Sequence, residues 1–340
     1  MVSIGSPLLW SLFTAFVLVA LAVDFLILNR QGAHRVSMRE AGLWTLVWVA
    51  VSFVFVGLLW WQLGGLGYDP AAKALANAKA LEFITGYLVE KALAVDNIFV
   101  FLMVFTYFAV PPDFQKRVLM IGILGALVLR GILILIGAWL IAQFHWILYL
   151  FGAFLVFTGI KMWWAAGQEP DLDANPALQW MRRRMRVSPN YDGERFFTMI
   201  NGGRVATPLL LVVLVIGIVD VVFAVDSIPA IFAITTDPFI VLTSNVFAIL
   251  GLRAMYFLLA GVHERFHLLP YGLAVVLVVI GTKMLLIDLY KIPVAWSLVA
   301  TVVILGVTMT LSLLIPPKGD GKMHGGYPFN KSKTPPPTEK

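Results

Sequence analysis

Apolar runs of about 20 residues alternate with short polar, often basic, segments from residue 7 to residue 315. At 1.5 Å per residue such a run crosses a hydrocarbon core of ~30 Å as a helix. The pattern predicts nine transmembrane helices, over 7–28, 41–63, 83–108, 117–142, 145–166, 207–235, 239–261, 268–290 and 293–315. The first run ends near Ala20-Leu21-Ala22, which resembles a signal-peptide cleavage site. Met1 to Ser6 carries no basic residue, however, and Arg30, Arg35 and Arg39 follow the run instead of preceding it, so a retained helix is expected.

Basic residues then orient the helices. Arg30, Arg35 and Arg39, Lys116 and Arg117, Arg182, Arg183, Arg184, Arg186, Arg195 and Arg204, and Arg265 fall in alternate loops, and further lysines fill the tail; the opposite loops hold Lys73, Lys79 and Lys291. The positive-inside rule places the N-terminus outside and the C-terminus inside. Composition agrees with a polytopic membrane protein, since 60% of residues are hydrophobic and 13% charged. The net charge of +6 accompanies no RNA- or DNA-binding motif, so nucleic acid is not an expected partner. The chain has no cysteine, which excludes disulfides, thiol redox chemistry of its own and thiolate metal sites.

One segment occurs twice. Glu90-Lys91-Ala-Leu-Ala-Val-Asp96-Asn97 returns as Asp220-Val-Val-Phe-Ala-Val-Asp226-Ser227, each with two acids six residues apart inside otherwise apolar sequence. A charge at the bilayer centre costs roughly 3 kcal/mol on insertion scales, so four such carboxylates call for a function. The repeat continues through Leu129-Arg130-Gly131 and Leu252-Arg253-Ala254 to Gly159-Ile-Lys161-Met162 and Gly281-Thr-Lys283-Met284. Two three-helix units, 83–166 and 207–290, follow, preceded by a two-helix segment 1–82 and separated by a basic loop 167–206. A ninth helix, 291–315, and a disordered tail, 316–340, complete the division. An odd number of helices inverts the second unit, the plan of secondary transporters with a midplane site.

Glu90, Asp96, Asp220 and Asp226 are therefore the candidate metal ligands. Asn97, Ser227 and Asn245 are possible additional ligands, and Lys91, Arg130 and Arg253 balance charge. Oxygen donors suit Mg²⁺, Ca²⁺ or Mn²⁺. Six residues on a straight helix leave the two acids of one motif about 120° apart, so a distortion is needed to aim both at one ion. Pro229 is expected to break or kink the second motif's helix beside Asp226. A salt-bridge cluster that only joins helices is the alternative.

The stretches Glu90-Lys-Ala-Leu-Ala-Val-Asp-Asn-Ile-Phe-Val, Phe223-Ala-Val-Asp-Ser-Ile-Pro-Ala and Thr235-Thr-Asp-Pro-Phe resemble the TerC family of integral membrane proteins. Gly251-Leu-Arg-Ala-Met-Tyr makes the chain most similar to its Alx branch. The resemblance implies a bacterial inner-membrane protein of the LysE-like transporter group, associated with Mn²⁺ export. It carries the family's membrane acids onto Glu90, Asp96, Asp220 and Asp226. The expectation is an all-α Mn²⁺ exporter, possible proton antiport included, that is not an enzyme and holds no resident cofactor. Its partners are the divalent ion, protons and the lipid bilayer. A metal sensor or Mn²⁺-delivery partner without net flux is one alternative. An intramembrane aspartyl hydrolase is another, although no Gly-x-Gly-Asp stands at either acid.

Overall fold

The computed structural model describes residues 3–31, 37–166, 179, 184–200, 203–260, 266–290 and 292–315, excluding the side chains of residues 24, 25, 27–31 and 96. His34, Arg35, Arg182, Arg183, Arg265, Lys291 and the tail 316–340 lie outside the described residues.

Helix starts follow local chemistry. α1 spans Pro7–Gln31, and α2 spans Met38–Gln62, capped by the Ser37 side chain on the Glu40 N–H. α3 runs from Pro70 to Tyr107 behind Asp69, whose carboxylate caps the Ala71 N–H. It starts earlier than the apolar run because Asp69-Pro70 is a strong start signal and the first turns are alanine-rich. α4 spans Pro112–Gln143 and α5 spans Ile147–Ala165. A short hairpin, β1 (Phe197–Ile200) and β2 (Gly203–Ala206), precedes α6 (Pro208–Phe232). α7 (Pro238–Leu250), capped by Asp237, meets α8 (Leu252–Ala260) at a 42° bend. α9 (Leu269–Leu285) and α10 (Val294–Leu314) follow.

This is an all-α membrane protein, with one small hairpin in a loop among the described residues. Each expected apolar run falls on a helix or, for 239–261, on the bent pair. Among the described residues α2, α4, α5, α6 and α10 are each long and apolar enough to cross a membrane, and the α7–α8 pair makes a sixth. α3 is long enough but carries charges along its length, and α9 has 17 residues. Leu12, Leu18 and Val19 of α1 and Val299, Val302 and Val303 of α10 are exposed, as faces turned to lipid must be.

Two corrections to the expected helices concern breaks. α6 runs unbroken through Pro229, which sits in its last turn, where a missing N–H and a ring clash disturb little of the ladder. The break lies instead at Gly251. There the Lys91 ammonium donates to the Ala248 carbonyl at 2.9 Å, the acceptor that a straight helix would give to the N–H of residue 252. A Cβ on Gly251 would stand 2.6 Å from that Nζ, so glycine is the residue that admits the lysine.

Helix pairing crosses the two halves: α3 packs on α7, α4 on α6, α3 on α6, and α5 on α9. The α5–α9 contact is backbone-close, because added Cβ atoms on Gly159 and Gly281 would come within 2.7 Å of the Ala274 carbonyl and 2.8 Å of the Gly152 carbonyl. Small residues permit that approach in lipid. A group of buried side chains joins α1, α3 and α7 through Phe13, Phe83 and Phe247, with half-buried Phe55 of α2 packed on it, its ring 4.7 Å from that of Phe247.

Candidate cation site

Midway along α4, the Arg130 guanidinium sits between α3 and α6. Its Nη2 and Nε donate to the two Asp220 carboxylate oxygens at 3.0 and 3.4 Å. Nη1 donates to Glu90 Oε1 and reaches Ser227 Oγ at 3.5 Å. With its amide oriented to satisfy both ends, Asn97 accepts from Arg130 Nη2 at 3.1 Å and donates to the Leu93 carbonyl at 3.1 Å. Arg130, Glu90, Asp220, Asn97 and Ser227 are each at most 2% exposed. Two carboxylates from two helices thus share one cation in a space closed to solvent, at a net charge of −1 (two minus, one plus).

A planar, permanently charged fork suits this position, since it engages Asp220 through two donors while still reaching Glu90. Both acids would be costly to bury alone; joined through Arg130 they are paired and hydrogen-bonded. Arg130 is thus the shared counter-charge of Glu90 and Asp220. Lys91 instead serves the break at Gly251, and its Nζ lies 5.7 Å from the centre of the Tyr87 ring. Arg253 is half-buried in the first turn of α8.

The four acids do not all meet. Asp226 is half-buried and turns toward α5, where Thr158 hydrogen-bonds it and the Lys161 charge acts on it. The two acids of this motif have different neighbours: Asp220 faces Arg130 and Asp226 faces α5. Asp96 stands in α3, and its side chain lies outside the described residues. Asn245 is wholly buried on α7, and neither amide atom has a hydrogen-bond partner among the described residues. No three acidic or histidine side chains form a ready cage for a metal among the described residues; between Glu90 and Asp220 stands Arg130.

Sequence reasoning missed Thr158 and a second polar layer toward the N-terminal end of α3. There Glu82 accepts from Lys79 at 2.9 Å and from the Thr235 hydroxyl at 2.6 Å. Lys79 also lies 3.5 Å from Asp237, which accepts from Ser3 Oγ and the Ile4 N–H at 2.9 and 3.1 Å. Lys283 donates to Ser297 at 2.8 Å nearby, within reach of the Glu82 charge. The i, i+3 spacing of Lys79 and Glu82 and the Thr-Thr-Asp-Pro helix start were the available signals.

Residues 75–319 match the model of the integral membrane protein TerC family. Among the chain's relatives are three bearing the name "Putative membrane-bound redox modulator Alx". The Escherichia coli (strain K12) protein is 53% identical over 95% of this chain and 99% of its own length. The Salmonella typhi protein is 52% identical over 94% and 98%, and that of Photorhabdus laumondii 51% over 92% and 97%. No solved structure matches the chain.

Proposed function

We propose that this chain, which belongs to the integral membrane protein TerC family, exports a divalent cation across the bacterial inner membrane by alternating access. The observation that carries the proposal is the buried Arg130 bridge between Glu90 of α3 and Asp220 of α6. A dication of similar reach neutralises the same two carboxylates, so Arg130 acts as a tethered stand-in for the cargo. When the ion enters, the guanidinium withdraws and Asn97, Ser227 and the buried Asn245 offer further oxygens. Asp226, and Asp96 by its place in the repeat, extend the acidic path on either side.

Mn²⁺ is the cargo favoured by the family resemblance. An oxygen donor set is consistent with it and equally with Ca²⁺ or Mg²⁺. Moving two charges outward against an inside-negative potential costs about 4.6 kcal/mol per 100 mV. Proton antiport supplies the drive in this proposal, with protons competing with the ion for the carboxylates on the outward side. Support for nine crossings and an inverted repeat comes from the helix pairings: α3 with α7 mirrors α6 with α4, and α5 meets α9 as its own counterpart. The redox role in the relatives' name finds no thiol here, because the chain has no cysteine.

The test is flux in proteoliposomes. Purified protein should move Mn²⁺ down an imposed gradient, and Glu90→Gln or Asp220→Asn should reduce the rate at least tenfold while the protein remains folded. Undiminished flux in both variants, or metal binding with no net flux in the unaltered protein, would sink the exporter proposal; the second result would favour a sensor or delivery role.

A further inference from the structure

The segment ahead of α6 takes no part in the cation site. Between residues 184 and 206 it holds four arginines, Arg184, Arg186, Arg195 and Arg204, and two acids, Asp192 and Glu194, a surplus of two positive charges. The β1–β2 register pairs Phe197 with Ala206 and Met199 with Arg204. Side chains alternate across a strand, so Phe197, Met199 and Arg204 share a face, and the Arg204 guanidinium lies 4.4 Å from the centre of the Phe197 ring. That face is open: Phe197 is 43% and Met199 68% exposed, while Ile200, at the turn and on the opposite face, is 40% exposed.

The hairpin is nevertheless held firmly at one depth. Thr207 donates through its N–H to the Phe196 carbonyl at 2.9 Å and through its hydroxyl to the Arg195 carbonyl at 2.7 Å. Ser188 and Ala206 join by N–H to carbonyl at 2.8 Å. The Tyr191 hydroxyl, its pKa pushed up to about 12 by burial, donates to the Phe108 carbonyl at the end of α3 at 2.7 Å. Arg117, in the second turn of α4, pairs with Glu194 at 2.9 Å. The hairpin therefore sits level with the ends of α3, α4 and α6. Where a transmembrane helix ends, the bilayer's headgroup layer begins.

From this placement we infer that the hairpin is a membrane-surface anchor for anionic phospholipid: Phe197 and Met199 enter the interface, and the surrounding arginines bind headgroup phosphates. Apolar side chains beside arginines are the makeup of interfacial segments, and arginine stems lie along apolar surface while their charges reach phosphate. The charge rule places this end at the cytoplasmic leaflet, where anionic lipid attracts basic segments. A two-stranded hairpin with one bare face is marginal in water, and the bilayer surface is the apolar, negatively charged neighbour at that depth.

The cysteine-free chain allows a clean test. A spin label on Met199→Cys, with Asn190→Cys as a control, is compared in vesicles of phosphatidylethanolamine alone and with added phosphatidylglycerol. The residue 199 label should collide several-fold more with oxygen than with a water-soluble nickel complex when phosphatidylglycerol is present. The residue 190 label should show the reverse. Arg195→Gln with Arg204→Gln should bring the residue 199 label back to its behaviour in phosphatidylethanolamine. A label open to nickel in both vesicle types would overturn the anchor. Protection that ignores both lipid charge and the arginine substitutions would overturn the headgroup contact. Protection that appears only on adding soluble cell extract would assign the face to a protein partner and equally overturn the inference.

Discussion

Replacing Arg130 by methionine removes the guanidinium but keeps an unbranched side chain of related length. Glu90 and Asp220, 1% and 2% exposed, then face one another with no counter-charge. Breaking a buried pair by deleting one partner costs about 3–5 kcal/mol, which at about 1.4 kcal/mol per tenfold lowers the folded-to-unfolded ratio by roughly 10² to 10³·⁵. The assay is thermal unfolding in detergent, followed by tryptophan fluorescence, with and without Mn²⁺ or Mg²⁺. Arg130→Met should melt well below the unaltered protein and recover most of the loss when a divalent ion is added, because the ion takes the vacated place. Glu90→Gln/Arg130→Met/Asp220→Asn should recover without any ion, since no charge remains to be balanced. If Arg130→Met melts with the unaltered protein, or if neither added ion nor the triple substitution rescues it, Arg130 is a packing residue and the charge argument fails.

Further expectations concern the surroundings of the site. Gly251→Ala should destabilise by about 1–3 kcal/mol, because its Cβ would meet Lys91 Nζ at 2.6 Å and Trp48 Cβ at 3.2 Å; adding Lys91→Met should return part of the loss, a non-additivity visible in paired melts. Thr158→Val should cost about 1.5–3 kcal/mol as a lost bond to a carboxylate, and nothing comparable in an Asp226→Asn background, which a double-mutant cycle checks. Asp237→Ala should cost about 0.5–2 kcal/mol as a lost cap and, by releasing Ser3 and Ile4, speed amide exchange at residues 3–6; unchanged exchange there would refute the tie to Asp237.

Much of this architecture is written locally. Asp69-Pro70, Asp237-Pro238 and Pro208 mark helix starts through capping and a fixed φ, and the apolar runs between them are long enough to leave little freedom of assignment. Arg130 stood out as a charge in an apolar run, and two acids six apart could not share a face of a straight helix. Which neighbour each acid meets was not legible, because Asp226 is turned by α6 as a whole toward Thr158, a residue of no distinctive pattern. The break at Gly251 was hidden for a similar reason: its cap is Lys91, 157 positions away in the chain. Pro229 misled because a proline's effect depends on its distance from the helix end. Strands of four residues are too short to leave a periodic trace, so the hairpin passed as basic loop.

The account stands on Arg130 and the transported ion being interchangeable between Glu90 and Asp220. A structure of the protein with Mn²⁺, collected at wavelengths on either side of the manganese edge, addresses this directly. The account predicts an anomalous peak touching oxygens of both carboxylates, with the Arg130 guanidinium swung away. A peak elsewhere, with Arg130 still clamped between the two acids, would contradict it.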